Sequence, residues 1–498
     1  MCRSLKYSKG SLTLFQEAFE LHKQGKLDEA EVLYKEILEK DENNAEVWNL
    51  LGIIHLNHFK LGLAEECVVK AVSINPNPYF IETLAKIYLE KEDCEKAIEC
   101  YALLLKNNPD SFNFLFNTAA AYKIAGNSEK AIEFYKKAIE VNPEHPDAYF
   151  NLGSLYDTIG EPQNAVEYYK QAQRLKPDDM ETAYFTALSY FKNRDYTHGL
   201  ELFENRLCKQ SAIMTQVNSY PNLMYNAPVW TGEDISGKTI YTYYEAGFGD
   251  VLMFSRYLPL LEERCEKVIF KPQAPLYDLF KYNFPNIDVM QYFATEEAMN
   301  FDYNLPMLSL PYVLGLNETN MFIKKEGYLK ADPNIVKRYK LQFFENDAFK
   351  IGIKWRGNTH YEMDRVIDIK SFTKLFDLPN TKFYSFQTFE GSEDLNEIIN
   401  DYDIVDIGKT VKNFADTAGA LENMDLIICN DTSLVHLAGA MNKPCWVLLP
   451  VLYNWRWHLD LTKCDWYNSV KLYRQIENGN WDEIFDRIYV DLEKLLKK

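Results

Sequence analysis

The sequence predicts a protein in two parts: an all-α array of helical repeats, followed by an α/β part built on parallel sheets. Three observations support this prediction. Alanines recur with a period near 34 residues over the first two hundred positions, the period ends near Arg206, and beyond Lys238 short apolar runs alternate with helical stretches. Strands that alternate with helices favour parallel sheets covered by helices. A chain of 498 residues has the length for several domains.

The repeat period is marked by alanines separated by 34, 33, 34 and 34 residues: Ala30, Ala64, Ala97, Ala131 and Ala165. Aromatic residues stand four positions later in several units: Tyr34, Tyr101, Tyr135 and Tyr169. Prolines stand twelve positions after the later alanines, where helices are predicted to end: Pro76, Pro109, Pro143 and Pro177. Small residues would let the two helices of a unit approach closely: Gly52, Ala85, Ala119 and Gly153. Because one unit cannot bury its own apolar face, we predict stacked units with these aromatics in the core, not in a cofactor site.

This pattern resembles the tetratricopeptide repeat (TPR) over about residues 11–177, with a decayed unit that continues to about 206. The resemblance implies an all-α TPR solenoid over residues 1–206, whose concave groove binds a peptide or a protein segment. A dimerisation or spacer role for the array is the alternative.

Residues 207–228 are predicted to link the two parts, because the run after Lys209 is uncharged and contains Asn, Ser and two Pro. Ten strands are predicted beyond this linker, at about 239–245, 267–272, 287–292, 302–306, 350–356, 382–387, 403–407, 425–430, 445–449 and 470–474. The interval near 331–348 divides them into two Rossmann-like lobes that face one cleft, 229–335 and 336–498, the second ending in a helix.

The first candidate site is the turn Glu245-Ala-Gly-Phe-Gly-Asp250, which follows the first predicted strand and opens a helix predicted over Val251–Glu263. Leu252 stands where a dinucleotide fingerprint requires its third glycine, so we reject a site for NAD. Gly247 and Gly249 permit a tight turn that brings the backbone close to a ligand. Asp250 is either a helix cap or a general base, and its position alone favours neither.

The second candidate site is the segment Asn430–Ala440, which follows an apolar strand and opens another helix. Asp431 is predicted to cap this helix, and the backbone N–H groups of Thr432, Ser433 and Leu434 would face an anion such as a diphosphate. His436, one turn further on, either reaches a phosphate or is a structural histidine.

The third candidate site is the end of the strand Lys350–Arg356. Lys354, Arg356 and Asn358 cluster there and could neutralise a diphosphate, whereas the plain alternative is a solvated basic strand end. Arg365 is a weaker candidate. The Asp-Tyr-Asp triplet at 401–403 matches a metal-nucleotide motif of another fold, but we predict a loop that enters a strand, and we expect no metal site or cofactor.

The charge composition narrows the classes of partner. Lys plus Arg is 54 and Asp plus Glu is 73, a net charge of −19, of which −9 falls on residues 1–228 and −10 on residues 229–498. Because binding to nucleic acid requires basic surfaces, we expect no nucleic-acid partner. The nine cysteines contain no CxxC pair, and no apolar segment approaches the ~20 residues that cross a bilayer. We therefore expect a cytoplasmic protein without a transmembrane segment, with a peripheral position at the inner membrane face as the alternative.

The motifs together resemble bacterial glycosyltransferase family 9, the heptosyltransferase-like family of GT-B fold. The resemblance lies in GFGD followed by Val-Leu and by Tyr257–Leu261, in the strand IGIKWRGN, and in DTSLVHLAGA. Its best match is the branch with N-terminal TPR repeats, whose C-terminal part also contains a WRW segment, here at 455–457. Ser433 stands where heptosyltransferases commonly have glycine, and Glu245 and Ala246 depart from their shorter turn.

The resemblance implies metal-independent, inverting transfer of a hexosyl or heptosyl group from a nucleotide sugar. Asp250 would be the base toward the acceptor hydroxyl, and the segment from Asp431 to Leu434 would hold the diphosphate. His436 matches the histidine of the family motif, and Lys354 lies near the phosphate-binding basic position. The acceptor would be a protein or a glycan, with the repeats recruiting a protein partner or substrate. The alternative is a non-catalytic TPR scaffold with a silent GT-B domain.

Overall fold

The computed structural model describes residues 9–207, 227–291, 300–357, 365–452, 454–458 and 464–497. The chain divides into two compact units: Met1–Ile159 with Glu167–Asp178, and Gly160–Val166 with Asp179–Lys498. Most of the predicted linker, from 208 to 226, and Asn358 lie outside the described residues.

Helices alone form the repeat region. They are α1 Lys9–Lys23, α2 Leu27–Lys40, α3 Ala45–Asn57, α4 Leu61–Ile74, α5 Pro78–Glu90, α6 Cys94–Asn107, α7 Phe112–Ile124, α8 Ser128–Val141, α9 Pro146–Thr158 and α10 Pro162–Leu175. The five period-marking alanines have no exposed surface, and the aromatics that follow them are buried. Each of the four prolines stands two residues after the end of a helix. The predicted helical repeats and their core are confirmed.

Gly52 explains why a small residue belongs in the first helix of a repeat. A Cβ atom at Gly52 would lie 2.3 Å from Cγ2 of Val68 and 3.2 Å from the carbonyl oxygen of Ala64, both on α4. The two helices of this repeat therefore pack at a distance that only a glycine at position 52 allows.

Two further helices, α11 Met180–Lys192 and α12 Tyr196–Phe203, belong to the second unit together with the α/β part. The sequence pattern places the end of the array at 206, whereas the second unit already includes every position from Asp179 onward, together with Gly160–Val166. These two helices therefore share a unit with the candidate site residues.

The second unit contains all ten predicted strands. They are β1 Thr239–Tyr243, β2 Lys267–Lys271, β3 Asp288–Val289, β4 Tyr303–Pro306, β5 Phe349–Lys354, β6 Thr381–Ser385, β7 Ile404–Asp406, β8 Leu426–Asn430, β9 Cys445–Leu449 and β10 Val470–Arg474. One sheet has the order β3-β2-β1-β4 and the other β10-β9-β8-β5-β6-β7. Neighbouring strands pair in parallel in both sheets. The predicted α/β class with parallel sheets is confirmed.

The remaining α-helices lie between these strands, except α21, which follows the last strand. They are α13 Phe248–Phe254, α14 Leu258–Glu262, α15 Tyr277–Asn283, α16 Leu310–Val313, α17 Pro333–Phe343, α18 Thr373–Phe376, α19 Phe414–Glu422, α20 Ser433–Ala440 and α21 Asp482–Leu496. The prediction of a single helix over 251–263 was wrong. The helical segment begins earlier, at Phe248, and a 3₁₀ turn at Ser255–Tyr257 divides it into α13 and α14. The division occurs there because Pro259 has no N–H to donate to the preceding turn.

Alternating residues of β5 lie on opposite faces of the six-stranded sheet. Ile351, Ile353 and Trp355 join a core that includes Phe485 and Ile488 of α21. Gly352 and Lys354 therefore face the other side. That side is the one on which Cys429 of β8 shares a core with the apolar residues of α20.

Two further expectations concern loops and the membrane. The Asp-Tyr-Asp triplet lies in a turn that ends where β7 begins, and Asp403 pairs with Lys382. The predicted loop-to-strand entry is confirmed. Within the described ranges, no helix combines the length and the apolar composition needed to cross a bilayer.

Replacing Gly52 with alanine tests the helix contact in the repeat. We expect Gly52→Ala to destabilise the array by about 1–3 kcal/mol, because its methyl group overpacks against Val68 and the α4 backbone. Gly62→Ala is the matched control, because nothing lies within 4 Å of its added Cβ, and it should be neutral or stabilising by up to about 1 kcal/mol. Urea unfolding of the full chain, followed by circular dichroism at the helix band, distinguishes them. Equal midpoints would contradict the contact.

Candidate functional site

The six-stranded sheet has a topological switch point between β5 and β8. From β5 the chain adds β6 and β7 on one side, then crosses to β8, β9 and β10 on the other. Ligands of open parallel sheets bind outside the carboxyl ends of the strands at such a point. β5 ends at Lys354 and β8 ends at Asn430, so two of the predicted site segments meet there.

The start of α20 supplies donor groups at this edge. Thr432 is the N-cap residue and makes no side-chain cap hydrogen bond. No residue in the described part of the chain accepts a hydrogen bond from the N–H groups of Thr432, Ser433 or Leu434. Uncapped N–H groups at a helix start attract an anion, with about 0.3–1 kcal/mol per charge at a surface and up to ~2 kcal/mol when partly buried.

The prediction that Asp431 caps this helix was wrong. Its carboxylate pairs with Arg365, with 3.0 Å between Oδ2 and Nη1, and the same nitrogen lies 3.3 Å from the Asp431 carbonyl oxygen. Because this pair holds Asp431 behind the first turn, the cap falls one residue later. Arg365, the weaker candidate in the sequence, thus lies beside the helix start and is paired.

Lys354 is a buried cation at the end of β5. Its side chain is 9% exposed, and no described residue forms a hydrogen bond or an ion pair with Nζ. Burial lowers the pKa of its ammonium group to about 8. Lys354 lies opposite Cys429 in the sheet register, on the face that α20 covers. A buried ammonium group without a carboxylate is costly, and an anion at the helix start would relieve that cost.

Arg356 lies in a more exposed position and is already paired. Its Nη2 atom is 3.2 Å from Oδ2 of Asp394. The buried Gln387 at the end of β6 fixes the backbone here, since its Oε1 accepts from the N–H groups of Trp355 and Arg356 and its Nε2 donates to the Arg356 and Glu390 carbonyls. Gln387 carried no sequence signal. It fixes the backbone from which the Arg356 side chain extends.

The turn of the first sheet gives Asp250 two partners. Its Oδ2 accepts the Gly247 N–H at 3.1 Å, and its Oδ1 forms an ion pair with Arg456. Gly247 is the N-cap residue of α13 and Asp250 is its third residue, so Asp250 supports the cap by a capping-box contact and is not itself the predicted N-cap. Ala246 has a left-handed backbone (φ 57°), an uncommon conformation for a non-glycine residue that is often found at functional turns. The Ala246 carbonyl accepts a hydrogen bond from Gln273 at 3.1 Å.

The two motif turns meet in space although 183 positions separate Gly249 from Thr432 in the chain. A Cβ atom at Gly249 would lie 2.8 Å from Cδ2 of His436 and 3.6 Å from Cα of Ser433. Helix α13 therefore packs against α20, and the glycine at 249 is required for that approach. The carboxyl-end loops of the two sheets consequently face each other.

His436 is buried and partnered. Its side chain is 4% exposed, Nδ1 lies 3.1 Å from the Tyr467 hydroxyl, and its ring stacks on Trp457 with 5.4 Å between centroids. Burial lowers its pKa to about 4, so the ring is neutral at neutral pH. These contacts are those of a structural histidine, the alternative that the sequence had left open.

Several residues that α12, the turn after it and the chain after β9 bring to this site were not predicted from the sequence. Arg206 donates two hydrogen bonds to the buried carboxylate of Glu245 at the start of the turn, from Nη2 to Oε2 at 2.8 Å and from Nε to Oε1 at 3.2 Å. The Glu245 carboxylate also accepts a hydrogen bond from the Leu308 N–H. Residues of the chain after β9 pack on α11, on α12 and on the turn between these helices. Their contacts there are Trp455 with Phe191, His458 with Tyr196, and Asp465 with Arg194. The WRW segment belongs to the family resemblance, but nothing in the sequence indicated which residues it contacts.

Comparison with known proteins identifies the repeats. Tetratricopeptide repeat family models match residues 45–78, 82–140 and 146–179, and a TPR repeat model matches 121–160. The N-terminal part therefore contains tetratricopeptide repeats, a repeat class that presents extended concave surfaces for binding protein segments.

Similarity to individual proteins is distant. Protein FlbA of Caulobacter vibrioides is 23% identical over 318 residues, which cover 58% of this chain and 51% of FlbA. The chain thus spans about half the length of this curated relative. Among solved structures, a tetratricopeptide repeat protein from Parabacteroides merdae is 23% identical, with 39% of this chain and 78% of that chain covered and a TM-score of 0.36. YrrB, described as a TPR protein with an unusual peptide-binding site, is 20% identical, with 34% and 89% covered and a TM-score of 0.31.

Alanine substitutions in the GFGD turn test the contact between the two motifs. We expect Gly249→Ala to destabilise the second unit by about 1–3 kcal/mol, because the methyl group would overlap the His436 ring. Gly247→Ala in the same turn should cost no more than about 1 kcal/mol, since its Cβ would meet only Asp250 at 3.4 Å. Tryptophan fluorescence in urea reports on this unit, because seven of the eight tryptophans lie between 230 and 481. Equal losses for both variants would contradict this packing.

Proposed function

We propose that the second unit is a glycosyltransferase of the GT-B type, which transfers a glycosyl group from a nucleotide sugar to an acceptor hydroxyl. One observation carries this proposal. At the switch point between β5 and β8, a buried lysine and an uncapped helix start lie at the same edge, opposite the GFGD turn of the other sheet. A diphosphate suits Lys354 and the amides of residues 432–434, and the facing turn offers the carboxylate of Asp250.

In the proposed reaction the acceptor oxygen bonds to the anomeric carbon of the donor, opposite the leaving group, so the configuration inverts. Asp250 takes the acceptor proton. The bond from the anomeric carbon to the phosphate oxygen breaks, and the bonding pair leaves with the nucleoside diphosphate. Lys354 and the α20 amides stabilise the charge that develops on that oxygen, and preorganised donors of this kind are commonly the largest contribution to catalysis. We expect neither a metal ion nor a cofactor to take part.

The repeats would bring the acceptor to this unit. The tetratricopeptide repeats bind a protein segment in their groove, and that protein is either the acceptor or the carrier of an acceptor glycan. A non-catalytic scaffold is the second candidate. The contacts of Asp250 favour this scaffold, because each oxygen of its carboxylate already has a partner, Arg456 on Oδ1 and the Gly247 N–H on Oδ2, and the Arg456 guanidinium makes the carboxylate a weaker base.

A transfer assay separates the two candidates. The full chain is incubated with a panel of nucleotide sugars and with the proteins that co-purify with it, and added sugar masses are read by mass spectrometry. The proposal expects a hexose or heptose adduct, lost by about 10²- to 10⁴-fold in Asp250→Asn. Transfer that persists at full rate in this variant would remove Asp250 from the role of base. Absence of both adducts and nucleotide binding would favour the scaffold.

Lys354 makes the donor site testable without an acceptor. We expect Lys354→Met to weaken the binding of nucleoside diphosphates by about 10- to 100-fold, the value of a hydrogen bond to a charged group. Affinity in the unsubstituted protein should fall between pH 7.5 and 9.5, because the free ammonium loses its proton near its lowered pKa of about 8. The variant should lose this dependence.

Lys350→Met is the matched control for this measurement. Lys350 lies at the opposite end of the same strand, where its Nζ donates to the carbonyls of Asn346 and Ala348. Isothermal titration calorimetry at several pH values gives the affinities. Equal affinities for Lys354→Met and Lys350→Met would place the diphosphate away from the β5 edge.

A further inference from the structure

The ion pair between Asp250 and Arg456 joins the proposed base to a segment without an assigned role. Asp250 lies in the first turn of α13, and Arg456 lies in the segment that follows β9. Each side chain is 16% exposed. The guanidinium of Arg456 also lies over the Trp455 ring, 5.0 Å from its centroid. Arg456 is thus held in place by an aromatic ring on one side and by the carboxylate on the other.

This pair lies beside the helix start that is proposed to bind the diphosphate. Gly249, the neighbour of Asp250, approaches Cα of Ser433, the first residue of α20. Trp457, the residue after Arg456, stacks on the ring of His436 in the first turn of α20, with 5.4 Å between ring centroids. A diphosphate bound at this helix start would therefore compete with Asp250 for the same guanidinium.

The competition favours the diphosphate. A nucleoside diphosphate carries more negative charge than one carboxylate, and it offers the oxygens that a guanidinium binds through two parallel hydrogen bonds. When the guanidinium leaves, Oδ1 of Asp250 is released for an acceptor hydroxyl, while Oδ2 keeps its hydrogen bond from Gly247.

We propose that Arg456 exchanges partners when the donor binds, leaving Asp250 for the diphosphate and thereby freeing the base only once the donor is in place. This inference rests on the proposed glycosyltransferase function. It assigns Arg456 to donor binding and makes the Asp250–Arg456 pair an autoinhibitory contact. The exchange changes ion-pair partners and breaks no covalent bond.

A double-mutant cycle on nucleotide binding tests the exchange. The probes are ADP, GDP, UDP and CDP together with inorganic pyrophosphate, titrated calorimetrically into the full chain. We expect Arg456→Gln to weaken binding by about 10- to 100-fold. Asp250→Asn should strengthen binding by several-fold, because Arg456 no longer has a competing carboxylate. In the Arg456→Gln background the same Asp250→Asn change should have no effect, because there is then no guanidinium to release.

Three results would overturn the inference. If Asp250→Asn strengthens binding equally with and without Arg456, the effect is the loss of one negative charge and no exchange occurs. If the unsubstituted protein binds a nucleotide and Arg456→Gln binds it as well, Arg456 has no part in donor binding, although the proposed function stands. If no probe binds the unsubstituted protein, the proposed function fails and the exchange fails with it.

Two controls exclude a folding defect. Arg338→Gln removes another arginine of the same unit, which pairs with Asp416 outside the site, and it should leave nucleotide affinity unchanged. Arg456→Lys retains the charge and should recover part of the lost affinity. Each variant is also unfolded in urea and followed by tryptophan fluorescence. If Arg456→Gln unfolds at the same urea concentration as the unsubstituted protein but binds nucleotide more weakly, the lost affinity is due to the Arg456 side chain.

Discussion

The close packing of α13 against α20 is the contact on which the rest of the site depends. It is possible because position 249 has no side chain, so the backbone of the GFGD turn lies against the His436 ring. His436 in turn is fixed by the Tyr467 hydroxyl and by Trp457, and its burial keeps it neutral. A charged imidazole would be unfavourable in this position, because the ring is buried and lies in the first turn of α20, whose free N–H groups carry partial positive charge. One glycine and one neutral histidine thus determine which loops face each other.

The overall charge of −19 makes the local arrangement decisive for an anionic ligand. Both halves of the chain are acidic, so no long-range field draws a nucleotide sugar toward the protein. The cationic groups at the proposed site are few and individually placed: Lys354 has no partner among the described residues, whereas Arg356, Arg365 and Arg456 are each paired with an aspartate. An anion can use Lys354 directly, but it must compete for the arginines. This difference is the physical basis for assigning them different roles.

The sequence was sufficient for features that depend on local periodicity. The 34-residue period identified the repeats, and short apolar runs located all ten strands. Prediction from the sequence failed where the interaction partner of a residue is distant in the chain. Nothing near Asp431 indicated that Arg365 would take its carboxylate, and nothing near Asp250 indicated Arg456, more than two hundred positions away. Arg206 was assigned to the repeats by pattern, yet its guanidinium holds Glu245 beneath the turn. Such long-range ion pairs leave no periodic signal.

We propose that the edge between β5 and β8 binds a diphosphate through Lys354 and the amides at the start of α20. A crystal structure of the full chain with its tightest-binding nucleoside diphosphate tests this most directly. We expect phosphate oxygens within hydrogen-bond distance of Lys354 Nζ and of the N–H groups of Thr432, Ser433 and Leu434. A diphosphate bound elsewhere, with Lys354 still buried and unpaired, would contradict it.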